Sequence, residues 1–258
     1  MKNKTAVFTI ADDNNLKYAQ QLEKSFRYFH KEDEADFFIF SGLDLGTALK
    51  QDPMFFYRAT PALGKMFMLQ GYENVVKIDA DSLVLGNIAH TWEGEVDLGV
   101  VNNTSPRDLA NAQAKGMNLT VWNIHPLSYV NCGFVVMKSK EFIEHWQGLC
   151  ASPHFNFYQY REQDLLNILV FYGNYHVKFL DASDKWHGLI CKGYEPKIEL
   201  SGTNKNRQLV LKTNDEWPTD GTKQICVWHA GGGNDPNKMN IDTKFKPEVV
   251  KWLKTLTS

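Results

Sequence analysis

The sequence predicts an α/β fold with a mostly parallel central sheet and flanking helices. Three observations carry that prediction. The chain opens strand–helix–strand, at residues 6–11, 16–29 and 37–40, the order that parallel pairing requires. The later run Val75-Val76-Lys77-Ile78 is β-branched and apolar enough for a strand covered on both faces. Strand and helix patterns then continue to alternate along the chain. In such sheets ligands bind beyond the carboxyl ends of the strands.

Taken in order, residues 6–11 (AVFTIA) form an apolar first strand, and Asp12-Asp13-Asn14-Asn15 breaks it with turn and cap residues. Leu16, Ala19, Leu22, Phe26 and Phe29 recur at helical spacing. After the strand at 37–40, residues 64–71 read as a short helix leading into the strand that ends at Asp79 and Asp81. Residues 96–101 form another strand. The polar stretch 102–126 is a long excursion, and long loops in compact domains are often functional. Residues 132–137 form a strand, 140–149 and 163–172 form helices, and 177–180 form a strand. Region 181–220 is weakly patterned, with a strand at 208–211. A last strand at 225–229 precedes Ala230-Gly231-Gly232-Gly233-Asn234, and Val249, Val250, Trp252, Leu253 and Leu256 mark one face of a final helix over 247–256.

Composition narrows the function. At 258 residues the chain fits one large domain or two small ones. Its net charge of −2 gives no reason to invoke nucleic acid. Cys132, Cys150, Cys191 and Cys226 form no C-x-x-C pair, so neither zinc nor a redox motif is suggested. No apolar run reaches the ~18 residues of a membrane helix, and the first residues run straight into a strand. The expectation is a reducing, cytoplasmic location. No G-x-S-x-G or P-loop pattern is present.

Asp79 and Asp81 are two apart, so in an extended chain their carboxylates share a side. Like charges so close need a positive partner, and a divalent cation is the simplest. A plain polar turn is the alternative. His229 ends a strand before three glycines. It suits a third metal ligand, and imidazole with carboxylates favours manganese over magnesium; a hydrogen-bonded His beside a loop is the alternative. Gly231 and Gly232 offer N–H groups to phosphate. Arg58 and Lys65 lie ahead of the acid-tipped strand, either as anion contacts or as solvated charges. Asn131-Cys132-Gly133 opens a buried strand, where an amide orients a hydroxylated ligand or satisfies loop backbone. Glu162-Gln163-Asp164 begins a helix, where acids also simply favour the dipole. Trp186-His187-Gly188 is a small aromatic cluster, open between core and acceptor stacking.

The order of these motifs resembles the retaining glycosyltransferases of family 8, which include glycogenins and bacterial lipooligosaccharide galactosyltransferases. Ile10-Ala11-Asp12-Asp13-Asn14 is similar to that family's A-D-D-N stretch, and Asp79-Ala80-Asp81-Ser82-Leu83-Val84 to its D-x-D-x-L-V motif. Tyr129-Val130-Asn131-Cys132-Gly133 is similar to F-N-[AS]-G, and Glu162-Gln163-Asp164-Leu165-Leu166-Asn167 to D-Q-D-I-L-N. The resemblance implies a single GT-A domain over 1–258. A nucleotide- and metal-binding half would span about 1–101, a sugar- and acceptor-binding half about 102–243, and a C-terminal helix 244–258. It implies a UDP-sugar donor held by Ile10, Ala11, Asp12, Asn14, Asp79, Ala80, Asp81, Asn131, Cys132, Glu162 and Gln163, with manganese (magnesium as the alternative ion) on Asp79, Asp81 and His229. Donor identity would rest on contacts near Asn103, Asn131 and Glu162.

Two departures stand out. Glu162 replaces the family's first Asp. The family's H-x-x-G-x-x-K-P-W ending is replaced by a longer run from His229 to Lys238, in which Lys238 stands in for the phosphate-binding Lys. Arg58 and Lys65 both compete for the family's basic position. The implied reaction is sugar transfer to a glycan or glycolipid hydroxyl with retention. Gln163 would lie under the oxocarbenium-like centre, and Glu162 or Asp164 would be the carboxylate available to a double displacement. A sugar-nucleotide pyrophosphorylase is the enzymatic rival, although Asp12-Asp13-Asn14-Asn15 occupies the place of its glycine-rich loop. A catalytically inactive nucleotide- or glycan-binding protein is the other. Lys244, Lys246, Lys251 and Lys254 beside Trp252 fit either a helix capping the domain or contact with an anionic membrane surface.

Overall fold

β1 (Thr5–Ala11) is buried along its whole length. Ala6, Phe8 and Ile10 enter one core cluster and Val7 another, the two-residue period of a strand with both faces covered. The structure is a computed structural model. It describes residues 3–52, 54–102, 124–125, 128–180, 189–190, 198–203, 207–212, 222–230 and 239–258.

β1 pairs in parallel with β2 (Asp36–Ser41) and with β3 (Asn74–Ile78). β6 (Val130–Met137) lies antiparallel between β3 and β5 (Leu98–Asn102), and β7 (Val177–Phe179) runs parallel to β5. The six-stranded sheet therefore has the order β2-β1-β3-β6-β5-β7, with β6 alone reversed. The carboxyl ends of β1 and β3 share one edge, as the opening pattern requires.

Helices cover both faces. α1 (Leu16–Phe29) packs Leu22 and Phe26 against Val7, Val76 and Ile78. On the other face, α3 (Phe55–Leu69), α4 (Lys140–Ala151) and α5 (Glu162–Tyr172) surround the fully buried Phe142 and Trp146. A short α2 (Gly46–Gln51) precedes α3.

α3 starts well before the helix expected at 64–71. Pro61 lies inside α3, ahead of the expected start, and both Pro61 and Gly64 are buried. A helical Pro loses one backbone bond, but burial of Ala59, Leu63 and Phe67 holds the helix. Gly64 lets it sit close: a Cβ there would come within 3.0 Å of Met137 Sδ on β6.

The last strand expected at 225–229 divides. β11 (Thr222–Ile225) joins β9 (Ile198–Ser201) and β10 (Gln208–Lys212) in an antiparallel sheet. β12 (Val227–His229) instead pairs with β4 (Ser82–Val84) and β8 (Leu189–Ile190).

α7 (Pro247–Thr257), after the one-turn α6 (Ile241–Lys244), buries Val249, Val250, Trp252, Leu253 and Leu256 in a cluster with Trp228 and Ile198. Its apolar face is thus core. Lys246 pairs with Glu199 at 2.9 Å, Lys254 with Asp242 at 2.7 Å, and Lys244 lies over the Trp228 ring. These contacts fit the capping reading. No described helix is long and apolar enough to cross a membrane. Cys132, Cys150 and Cys226 are buried free thiols.

Candidate metal centre

Two sheets meet where β3 ends. Asp79 N–H donates to Gly133 O at 2.8 Å, the last rung between β3 and β6. Ala80 packs with Ala11, Ala19 and Ile39, so the first-strand end and the acid pair share one small contact that a larger residue would force apart. Asp81 C=O accepts from Ala230 N–H at 2.9 Å, and β4 pairs Ser82 with His229. The β4–β12 pair therefore delivers the imidazole to the acids. His229 Nε2 lies 3.1 Å from Asp81 Oδ1 and 3.5 Å from Asp79 Oδ2.

Asp79, Asp81 and His229 offer one ligand atom each, all within 4.8 Å of one another. Two carboxylates with one imidazole suit a borderline divalent ion. The space around them is tightly bounded. A Cβ on Gly133 would lie 2.7 Å from Asn131 Oδ1, 2.8 Å from Asp79 Oδ2 and 3.2 Å from His229 Cε1. Only glycine fits beside the ligands. Gly133→Ala is expected to weaken Mn²⁺ binding about 10–100-fold, as changes beside ligands do, with circular dichroism unchanged. Mn²⁺ titration by electron paramagnetic resonance reads it, and unaltered affinity would show that the cradle is not the ion's.

A residue not singled out from the sequence completes the centre. Lys77 is 5% exposed in the middle strand of the sheet. Its ammonium donates to Asp79 Oδ1 and, at 2.7 Å, to Cys132 O. Burial works against its charge most strongly, but Asp79, together with Cys132 and Glu162, outweighs burial and holds the ammonium above its ordinary pKa. A lysine in an apolar strand covered on both faces needs an acid partner, and that was the available signal.

β6 bulges here. Its pairing with β5 jumps from Val135↔Val100 to Asn131↔Val101, so Cys132, Gly133 and Phe134 bow out toward the acids. α5 stitches the bow in place. Gln163 Oε1 accepts from Cys132 N–H at 3.1 Å, and Gln163 Nε2 donates to Tyr129 Oη at 3.3 Å. Asn167 clamps Val130 from both sides, accepting from its N–H at 2.7 Å and donating to its C=O at 2.9 Å. Asp164 is fully buried and accepts from Tyr129 Oη at 2.5 Å and Tyr160 N–H at 2.7 Å. Burial and that carboxylate both push the Tyr129 phenol far up. Asp164 therefore anchors the clamp and is not presented as a nucleophile. Asn167, four residues after Gln163, is a clamp residue whose role the motif alone did not reveal.

Glu162 lies against the same bow. Its Oε1 accepts from the Cys132 thiol at 3.8 Å, and its Oε2 is buried without a hydrogen-bond partner. Burial raises its carboxyl to about 7, against the pull of its own N–H and of Lys77. Arg161, just ahead, adopts φ 48°, a strained value for a non-glycine residue of the kind found at ligand clamps. Its guanidinium lies 5.4 Å from the Tyr57 ring centroid and 5.8 Å from that of Phe155.

The other expected residues divide. Arg58 lies 4.5 Å over the Phe155 ring, which Arg161 also approaches, and pairs with Asp52 at 2.7 Å. Lys65 pairs with Glu144 of α4 at 3.2 Å. Ile10 and Ala11 end β1. Asp12 turns the chain into α1, its Oδ1 accepting from Asn15 N–H at 2.8 Å and from Asn15 Nδ2 at 2.7 Å. Asn14 is exposed at the same edge. Asn103, Trp186, His187, Gly188, Gly231, Gly232, Gly233 and Lys238 lie outside the described residues.

No protein-family model and no curated protein matches the sequence. Solved structures do match in fold. One is the bifunctional glycosyltransferase WbbM, with TM-score 0.52 and 15% identity over 95% of this chain; the match spans 52% of WbbM, about half its length. Another is the galactosyltransferase LgtC in complex with donor and acceptor sugar analogues, with TM-score 0.50 and 16% identity over 98% of this chain and 96% of LgtC. At such identity the likeness establishes the fold, which is of the GT-A type.

Proposed function

We propose that this GT-A-fold chain is a metal-dependent glycosyltransferase moving a sugar from a UDP-sugar to a glycan or glycolipid hydroxyl, with retention at the anomeric carbon. One observation carries the reading. Asp79, Asp81 and His229 converge from two sheets at the carboxyl edge of β1 and β3, directly against a bulge that α5 holds open. A plain polar turn at Asp79-Ala80-Asp81 would not need an imidazole brought from β12. The halves about 1–101 and 102–243 would supply nucleotide and sugar contacts respectively.

The chain's residues divide the work. Asp79, Asp81 and His229 would hold manganese, or magnesium in its place. When bound, the ion supplies Lewis-acid stabilisation of the charge developing on the departing UDP. Ile10, Ala11, Asp12 and Asn14 would hold the nucleoside at the end of β1. Arg58 would contribute positive charge, with Gly231, Gly232 and Lys238 kept as sequence-based candidates for the phosphates. Asn131, Cys132 and Glu162 face the bow in β6 and would hold the sugar. Gln163 Oε1 has a second lone pair beyond the one taken by Cys132 N–H, which would face the reacting carbon. Of the two carboxyls considered for a double displacement, Glu162 has the unengaged oxygen.

A manganese-dependent hydrolysis screen across UDP-sugars tests the proposal. One donor is expected to release UDP above the others, and only with metal present. Tight UDP binding with no hydrolysis or transfer from any donor would favour an inactive binding protein. Pyrophosphate released from UTP and a sugar phosphate would favour a pyrophosphorylase.

A further inference from the structure

The two carboxylates of the metal centre are not equivalent. Asp79 gives Oδ1 to the Lys77 ammonium and turns Oδ2 toward Gly133 and His229. Lys77 has no room to leave. Its backbone pairs with Phe8 of β1 and Val135 of β6, and its ammonium is also fixed by Cys132 O. The stem lies along the sheet and carries the charge to the strand end.

We infer that Lys77 is a built-in cation of this centre, which restricts Asp79 to one ligand oxygen and makes metal binding depend on an anionic co-ligand. The inference rests on the metal reading above. Its logic is charge. Counting the formal charges of Asp79, Asp81 and Lys77 alone, the three sum to about −1, and a divalent ion brings them to about +1. Such a site attracts a free divalent ion weakly and a metal–diphosphate pair strongly. Without the lysine the site would carry about −2, hold the bare ion tightly, and gain little from the diphosphate. Lys77 thus couples the two ligands, and the coupling is reciprocal.

The test measures Mn²⁺ affinity by electron paramagnetic resonance, with and without UDP, in the wild-type chain and in Lys77→Met and Lys77→Gln. For the wild type, Mn²⁺ alone is expected to bind weakly, and UDP to tighten it at least about tenfold. Both variants are expected to bind Mn²⁺ alone at least about tenfold tighter than wild type, with the UDP effect reduced. A residue that merely positioned Asp79 would change affinity the other way, so unchanged or weaker Mn²⁺ binding in folded variants overturns the inference. Sub-micromolar Mn²⁺ binding by the nucleotide-free wild type, or no effect of UDP on it, overturns it without any variant. Absence of Mn²⁺ binding in every protein, with UDP or without, removes the metal reading itself and the inference with it.

Discussion

Asp81→Asn is expected to abolish the manganese dependence of UDP binding and to lower transfer on the order of 10³-fold, the upper range for losing one electrostatic group at a reacting centre. Asp81 is the cleaner probe of the two acids. Its carboxylate faces His229 at 3.1 Å, and its backbone already holds Ala230, so the amide variant keeps its shape and its strand pairing. Asp79 is a poorer choice. Its removal leaves the Lys77 ammonium buried without its carboxylate, and such an orphaned charge costs about 3–5 kcal/mol in fold stability. Calorimetric titration of UDP with and without Mn²⁺ reads the result. If Asp81→Asn kept a manganese-dependent UDP affinity like that of the wild type, the ligand assignment would be wrong.

Stability should fall as the pH rises from about 4.5 to about 7, because of one carboxyl. Glu162 is raised from its ordinary 4.5 to about 7, chiefly by burial. Between those values the folded chain holds a proton that the unfolded chain has released. The contribution is therefore complete below the unfolded pKa and lost as the pH climbs through the folded one, about 3 kcal/mol in all. Glu162→Gln removes the titration while keeping the shape. Its unfolding free energy in urea, compared with wild type at pH 5 and pH 8, is expected to gain about 2–3 kcal/mol relative to wild type across that interval. Parallel pH profiles for the two proteins would mean the carboxyl is not burdened as described.

The sequence carried the architecture where local pattern and tertiary packing agree. β1, α1 and β6 alternate or repeat at their proper periods, and each lies within two residues of its expected position. It failed where packing overrides local preference. The first half of α3 was not legible, because nothing local tells that Pro61 is buried inside the helix or that Gly64 packs against Met137. β4, β8 and β9 are two to four residues long, too short for a period to show. The three side chains that could hold a metal were legible because their chemistry is specific: two acids at strand spacing and a histidine at a strand end, which the structure brings together. Lys77 and Asn167 were not, because a lone lysine or asparagine has many ordinary uses. Only the partners, Asp79 and the backbone of Val130, reveal what these two do.

The pairing of β4 with β12 also sets a schedule. His229 meets Asp81 across 148 residues of chain. At a synthesis rate of roughly 5–20 residues per second, about 7–30 s separate the emergence of the acids from that of the imidazole. During that interval Asp79 and Lys77, two residues apart, are both present while His229 has yet to be added. The lysine can then neutralise an acid that would otherwise wait uncompensated at the growing edge. An ion held by all three side chains could be captured in full only after β12 has paired with β4, so metal loading would report that late pairing.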